Sequence, residues 1–259
     1  MGRGALRGFA ALLFGAWLAA AAPAHAGDRL DDIVARGTLR VALTGDYRPF
    51  SIKGGDGGMA GLDVDLAGSL AASLGVKLEI VPTTWGTLLA DLAADRYDIA
   101  MGGITITLAR QRVAYFSAPV MGTGKTPIAR CADRDRFATL AQIDRPGVRV
   151  IVNPGGTNER FARANIHAAE IVVFPDNAHI FDELAAGHAD VMITDAVETR
   201  VQQKLHPELC AIHPDAPFDH AELGYLLPRD ISWKLYVDQW LHQQQDTGAW
   251  RQTAARYID

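Results

Sequence analysis

Cysteine is almost absent from this chain: Cys131 and Cys210 are the two in 259 residues. Two thiols cannot complete a structural zinc site, and no His stands at ligand spacing from either, so the sequence offers no metal centre. Runs of Lys and Arg are missing as well. With a net charge of −5, the chain is a poor binder of nucleic acid. The same acidity disfavours long-range attraction of an anion, so any anion site has to be built locally. No nucleotide-binding glycine loop is present. The eight His are scattered, and no Ser–His–Asp or Cys–His arrangement suggests a nucleophile.

The N-terminus carries a processing signal. "MGRGALRGFAALLFGAWLAAAAPAHA" has Arg3 and Arg7, then an apolar run, then Ala24-His25-Ala26. The run is too short to cross a membrane and no stop-transfer charges follow, so residues 1–26 read as a cleavable signal peptide. No Cys follows the run to take a lipid anchor. The expected product is a soluble exported protein, periplasmic in a cell with two membranes. Export makes a Cys131–Cys210 disulfide available. The other reading is two buried free thiols, and the compartment favours the disulfide.

Beyond residue 26 the length suits one large domain or two of about a hundred residues. Strand-like and helix-like stretches alternate. "LRVALTG" (39–45) reads as a buried strand. In "GLDVDLAGSLAASLG" (61–75) Leu62, Leu66, Leu70 and Leu74 repeat every four residues and Gly75 supplies a stop, which predicts a helix. "KLEIVPTTW" is a strand running into a loop. The pattern is α/β with largely parallel strands. An internal echo refines it: "DLAADRYDIAMGGIT" (91–105) lies without a gap on "ELAAGHADVMITDAV" (183–197), Leu92 on Leu184 and Asp98 on Asp190. Each copy reads as a helix end, a tight turn, a strand and a polar loop at the strand's carboxyl end, where open α/β sheets bind ligands. Two such units predict two similar lobes facing one cleft.

The motifs "GDYRPFS" (45–51), "GLDVDLA" (61–67), "DIAMGGITITLARQRVAYFS" (98–117) and "GGTNERFA" (155–162) resemble those of the family-3 periplasmic solute-binding proteins. The resemblance covers nearly all of the chain past the signal. It implies a two-lobed α/β fold of the periplasmic-binding-protein type (type II), with a cleft between lobes joined by two hinge crossings. Residues 27–125 and 220–259 would form lobe 1, and 126–219 lobe 2. Within the family, "VNPGGTNERFARAN", "TDAVETR", "LHPELCAIHP" and "PFDHAELGYLLPRD" are similar to its enzyme branch, the cyclohexadienyl dehydratases. That likeness implies conversion of prephenate to phenylpyruvate, and of arogenate to phenylalanine, with loss of water and CO2. Both cysteines sit in matching stretches, which strengthens the disulfide. Aromatisation of the ring drives the reaction, so no cofactor is expected.

Several residues then acquire expected roles. Arg110 matches the family's carboxylate clamp, for which a two-donor fork is suited, with Thr105 beside it. Asn153, Gly155, Gly156 and Thr157 form a second anion cradle where a strand gives way to a helix start. A strong ion pair to the departing carboxylate would hold the ground state more than the transition state. Arg110 and Thr105 are therefore assigned the side-chain carboxylate, and the neutral 153–157 loop the leaving one. Trp85, Tyr47 and Phe50 suit an apolar ring wall, although Phe50 reads equally well as core. Lys125, near the first hinge crossing, is either a site cation or a solvated lysine. Asp195 matches the acid that holds the α-amine in amino-acid binders. Glu198, three residues on, shares its helical face. Asp195 and a desolvating cleft would keep Glu198 protonated, and the matching glutamate in the dehydratases is the general acid. The bland reading of Glu198 is a helix-start acid favoured by the dipole. The alternative function is an amino-acid receptor of an ABC importer, which would share the fold and most of the pocket. The partner in either case is a small molecule. A homo-oligomer is left open.

Overall fold

The computed structural model describes residues 1–2 and 28–258. Most of the proposed signal peptide therefore lies outside the described residues.

Two mixed sheets organise the chain. In the first, Lys77–Pro82, Thr38–Leu43 and Ile99–Thr105 run parallel, and Ala221–Leu227 returns antiparallel beside Ile99–Thr105. In the second, Glu170–Val173, Arg149–Val152 and Val191–Asp195 run parallel, and Lys125–Arg130 is antiparallel to the last of them. The expectation of largely parallel strands thus holds for three strands of each sheet, while the strand on each sheet's far side is reversed. Strand Ile99–Thr105 is buried at every position, as is Val191–Asp195. Both are sandwiched between helices, which suits their apolar residues, and each turns polar only at its carboxyl end.

The helix predicted from the leucine repeat spans Leu62–Leu74, and Gly75 caps it. Leu62, Leu66 and Leu70 are buried against Trp233, Val237 and Leu241 of the long helix Ile231–Asp246. That helix follows the returning strand, so the C-terminal segment completes the first core.

The echo in sequence is an echo in space. Helices Leu88–Ala93 and Ile180–Ala185 each precede a left-handed turn residue, Asp95 (φ 55°) and Gly187 (φ 81°). Asp98 then accepts the Arg40 N–H at 2.8 Å and Asp190 the Arg149 N–H at 2.8 Å. Each Asp also pairs with the guanidinium of the same arginine, at 2.8 Å and 2.9 Å. The two units lock their neighbouring strand in the same manner.

Cys131 and Cys210 form a disulfide with an S–S distance of 2.03 Å. Strand Leu209–Ala211 pairs with Lys125–Arg130, which brings the two thiols to one edge of the second sheet. The two passages between sheets run side by side. Met121–Thr123 pairs with Ala221–Leu223, and the Phe218 N–H donates to the Lys125 carbonyl at 2.7 Å.

Candidate active site

The carboxyl ends of the two echo strands face one another across a small cavity of ≈ 20 Å³. Tyr47, Trp85, Gly103 and Thr105 line it from the first sheet's side. Asn153, Gly156, Thr157 and Asn158 line it from the second, with Asn177 and Asp195. With the cleft shut this space holds about one water molecule, so a ligand enters only when the two sides part.

Strand register brings the charged centre together. Asp195 ends its strand directly opposite Lys125 on the antiparallel neighbour. Lys125 Nζ donates to Asp195 Oδ1 at 2.9 Å, to Asn158 Oδ1 at 2.6 Å and to Thr157 Oγ1 at 3.0 Å. The Tyr47 hydroxyl, from the other lobe, donates to Asp195 Oδ2 at 2.6 Å. Both oxygens of Asp195 are therefore engaged by the protein's own donors. Lys125 is no solvated hinge residue: its side chain is 3% exposed.

Glu198 lies one layer deeper. It is in the first turn of helix Ala196–Leu205, for which Asp195 is the N-cap residue. Its Oε2 accepts from Thr194 Oγ1 at 2.5 Å, and Thr194 accepts in turn from Asn158 Nδ2 at 2.9 Å. Asn158 thus links Lys125 to Glu198. Burial pushes the Glu198 carboxyl well above the usual range; the Thr194 hydrogen bond opposes this and the Asp195 charge adds to it. Glu198 is 1% exposed and is not on the cavity wall itself.

Three expected contacts fall elsewhere. Arg110 is buried, donates to the Thr105 carbonyl at 2.7 Å, and lines an adjoining cavity with Trp85, Gly155 and Arg160. Among the described residues no carboxylate pairs with it. Burial, with Arg160 nearby, lowers its guanidinium to about 10. The Gly155 N–H is not an open donor, because it is taken by Glu159 Oε2 at 2.7 Å. Gly155 serves close approach instead: at φ 79°, a Cβ there would stand 2.9 Å from Gly86 of the opposite lobe. Phe50 is fully buried behind the wall, its ring 5.2 Å from that of Tyr47. The core reading of Phe50 is the one that holds. Tyr47 in turn meets Trp85 edge-on at 5.7 Å.

Across the cleft, Thr105 Oγ1 lies 3.2 Å from Thr157 Oγ1, and Asn177 Nδ2 donates to the Asp46 carbonyl at 3.0 Å. The cleft is shut in this structure. Asp46 also receives Trp85 Nε1 at 3.1 Å, which sets the indole plane. Asn158, Asn177 and Asp46 were missed as site residues by the sequence reading. Their signal was weak: single polar residues in a helix start, a short strand and a loop near strand carboxyl ends, places where many polar residues do nothing.

Comparison with known proteins now adds to the geometry. Residues 39–259 match the bacterial extracellular solute-binding proteins, family 3. The chain belongs to this family. Family-3 relatives include both enzymes and receptors. A cyclohexadienyl dehydratase from Pseudomonas aeruginosa is 58% identical over 89% of this chain and 86% of its own. An L-cystine-binding protein from Escherichia coli is 30% identical over 88% of this chain and 84% of its own. Among solved structures, an ancestral amino acid-binding protein described as a precursor of cyclohexadienyl dehydratase superposes with a TM-score of 0.83 at 35% identity, covering 89% of this chain and 99% of that one. An ancestral cyclohexadienyl dehydratase is 53% identical, with a TM-score of 0.57 over 90% of this chain and 97% of that one. For this family-3 chain, identity rises toward the enzymes while the fold is common to both kinds.

Proposed function

We propose that this family-3 protein is a cyclohexadienyl dehydratase, a carbon–oxygen lyase that converts prephenate to phenylpyruvate and accepts arogenate as a second substrate. The observation that carries this reading is the occupation of Asp195. In an amino-acid receptor the acid at this place must be open to the ligand's ammonium. Here Lys125 supplies an ammonium from within the protein, and Tyr47 takes the other oxygen. The charge that would select an amine is already neutralised, while a protonated acid waits behind it. Identity of 58% to a dehydratase supports the same conclusion.

The chemistry follows from the groups present. Hydroxide is a prohibitive leaving group from C4 of the ring, so its oxygen must be protonated as the C4–O bond breaks. Glu198 is the donor: burial raises its carboxyl and favours the protonated form, and departure of water leaves its carboxylate behind. Lys125 lies close enough to lower the cost of that new charge. At the other end of the ring, the C1–carboxylate bond breaks, CO2 leaves, and its electron pair completes the aromatic ring. Arg110, which has no acid of its own, takes the side-chain carboxylate with Thr105. Asn153 and the helix start at Gly156 and Thr157, where no side chain caps the helix, offer neutral donors to the departing carboxylate. Trp85 and Tyr47 flank the ring and exclude water. Burial of Arg110 and the acid requires the lobes to open for entry. The lower TM-score at higher identity among the solved relatives suits lobes set at differing angles. Export to the periplasm through the signal at residues 1–26 completes the proposal.

Purified mature chain should form phenylpyruvate from prephenate, followed by its ultraviolet absorbance. Arogenate should turn over more slowly, since its ammonium finds Asp195 engaged. An absence of turnover, together with an amino acid raising the melting temperature, would instead make the protein a transport receptor.

A further inference from the structure

Asn177 lines the cavity without a task in the reaction scheme, and its hydrogen bonding is incomplete. It sits in the loop between strand Glu170–Val173 and helix Ile180–Ala185 and is 6% exposed. Its Nδ2 donates across the cleft to the Asp46 carbonyl at 3.0 Å. This contact fixes the amide's orientation, because exchanging N and O would set two carbonyl oxygens against each other. The remaining atom, Asn177 Oδ1, is buried with no hydrogen-bond partner among the described residues. A buried amide oxygen left unpaired is destabilising, and the destabilisation disappears when a ligand donates to it.

We infer that Asn177 Oδ1 accepts a hydrogen bond from the ring hydroxyl of the substrate and thereby distinguishes substrate from product. The inference rests on the dehydratase reading. Prephenate carries one O–H donor at neutral pH, the C4 hydroxyl, so this is the group able to satisfy the oxygen. Donation of the hydroxyl proton to Asn177 leaves the oxygen's lone pairs free for the proton from Glu198. When the C4–O bond breaks, its electron pair stays on that oxygen and water departs. Phenylpyruvate has no hydroxyl at this carbon, so Asn177 Oδ1 becomes unpaired again and the product is held less well than the substrate. The same side chain is a latch in the shut cleft through Nδ2. Its two ends thus couple closure to the presence of the hydroxyl that reacts.

The test compares two ligands on Asn177→Ala. Loss of the acceptor should lower kcat/KM for prephenate by roughly tenfold or more, in line with an unpaired buried polar group. The dissociation constant of phenylpyruvate, which has no donor for Asn177, should change by less than about threefold. Asn177→Asp, which keeps an acceptor and loses the latch donor, should recover part of the prephenate affinity. If both ligands weaken equally in Asn177→Ala, the residue is only a latch and the inference is wrong, while wild-type turnover leaves the dehydratase reading standing. If prephenate kinetics are unchanged, the inference also fails. Wild-type protein inert toward prephenate would remove the dehydratase reading and this inference with it.

Discussion

The two echo units share a scaffold and diverge within two residues of its end. In each, a helix, a left-handed turn and an Asp–Arg lock deliver a buried strand to the cleft. The first strand then reads Gly102-Gly103, the second Thr194-Asp195. Gly102 and Gly103 turn their N–H groups onto the Asp63 carboxylate at 2.7 and 3.0 Å. The bare Cα of Gly103 leaves room for the rings of Phe50 and Tyr47. Thr194 and Asp195 instead present side chains to Glu198, Lys125 and Tyr47. One lobe builds an apolar wall and the other a proton source. Both lobes hide an acid below the strand end: Asp63 accepts from two backbone amides and the Tyr225 hydroxyl and sits at about 6, whereas Glu198 accepts from a single hydroxyl and is raised by burial. In the proposed reaction the acid with fewer donors is the one that gives up its proton.

Breaking the charged end should cost most. Lys125→Met leaves Asp195 buried opposite an apolar chain, and removing one partner of a buried pair typically costs about 3–5 kcal/mol. Chemical denaturation should show that loss, and prephenate turnover should collapse with it. At the wall end, Gly103→Ala places a Cβ at φ 69° and 2.4 Å from the Phe50 ring. Strain and overpacking predict a loss of about 2–3 kcal/mol, together with a displaced Tyr47 and a raised KM. The locks should differ less. Asp98 is fully buried and meets Arg29, Arg36 and Arg40, while the Asp190 side chain is 18% exposed. Asp98→Ala should lower the melting temperature more than Asp190→Ala, although both remove the same strand contact.

The smallest effect is the pH dependence. Folding raises the carboxyls of Asp63 and Glu198 above their ordinary values. The folded protein holds these protons where the unfolded chain has released them, so stability falls as pH rises from about 4. The Asp63 part is complete just above its value of about 6, and Glu198 adds a loss of the same sign. Calorimetry should give a higher melting temperature at pH 5 than at pH 7, by a few degrees. In Glu198→Gln the decline should be shallower than in wild type. Acids held below their ordinary value, such as Asp144, lose their contribution only at lower pH and do not mask this.

The scaffold was legible because it is local. The leucine repeat of 62–74, the turn residues at Asp95 and Gly187, and the paired Asp98 and Asp190 each carry their signal within a few residues. The acid's environment was legible in part: Asp195 is a neighbour in sequence, but Thr194 is the residue that bonds Glu198. What could not be read depends on register and closure. Lys125 meets Asp195 because two strands pair antiparallel at that position, 70 residues apart. Asn177 meets Asp46 across 131 residues, and only when the cleft is shut. Gly155 looked like an open anion cradle because nothing in its sequence shows that Glu159 folds back upon it. Arg110 was expected in the cavity as a carboxylate clamp, and its position beside the cavity follows from its bond to the Thr105 carbonyl.

The most direct measurement is prephenate turnover by Glu198→Gln beside wild type, with the melting temperature of each recorded at the same pH. Gln keeps an acceptor for Thr194 and has no proton to donate to the leaving oxygen. The account predicts a loss of about a hundredfold or more in kcat with a melting temperature equal to or above that of wild type. Turnover within a few-fold of wild type would contradict it, and would leave Glu198 as a buried helix-start acid with the proton coming from elsewhere.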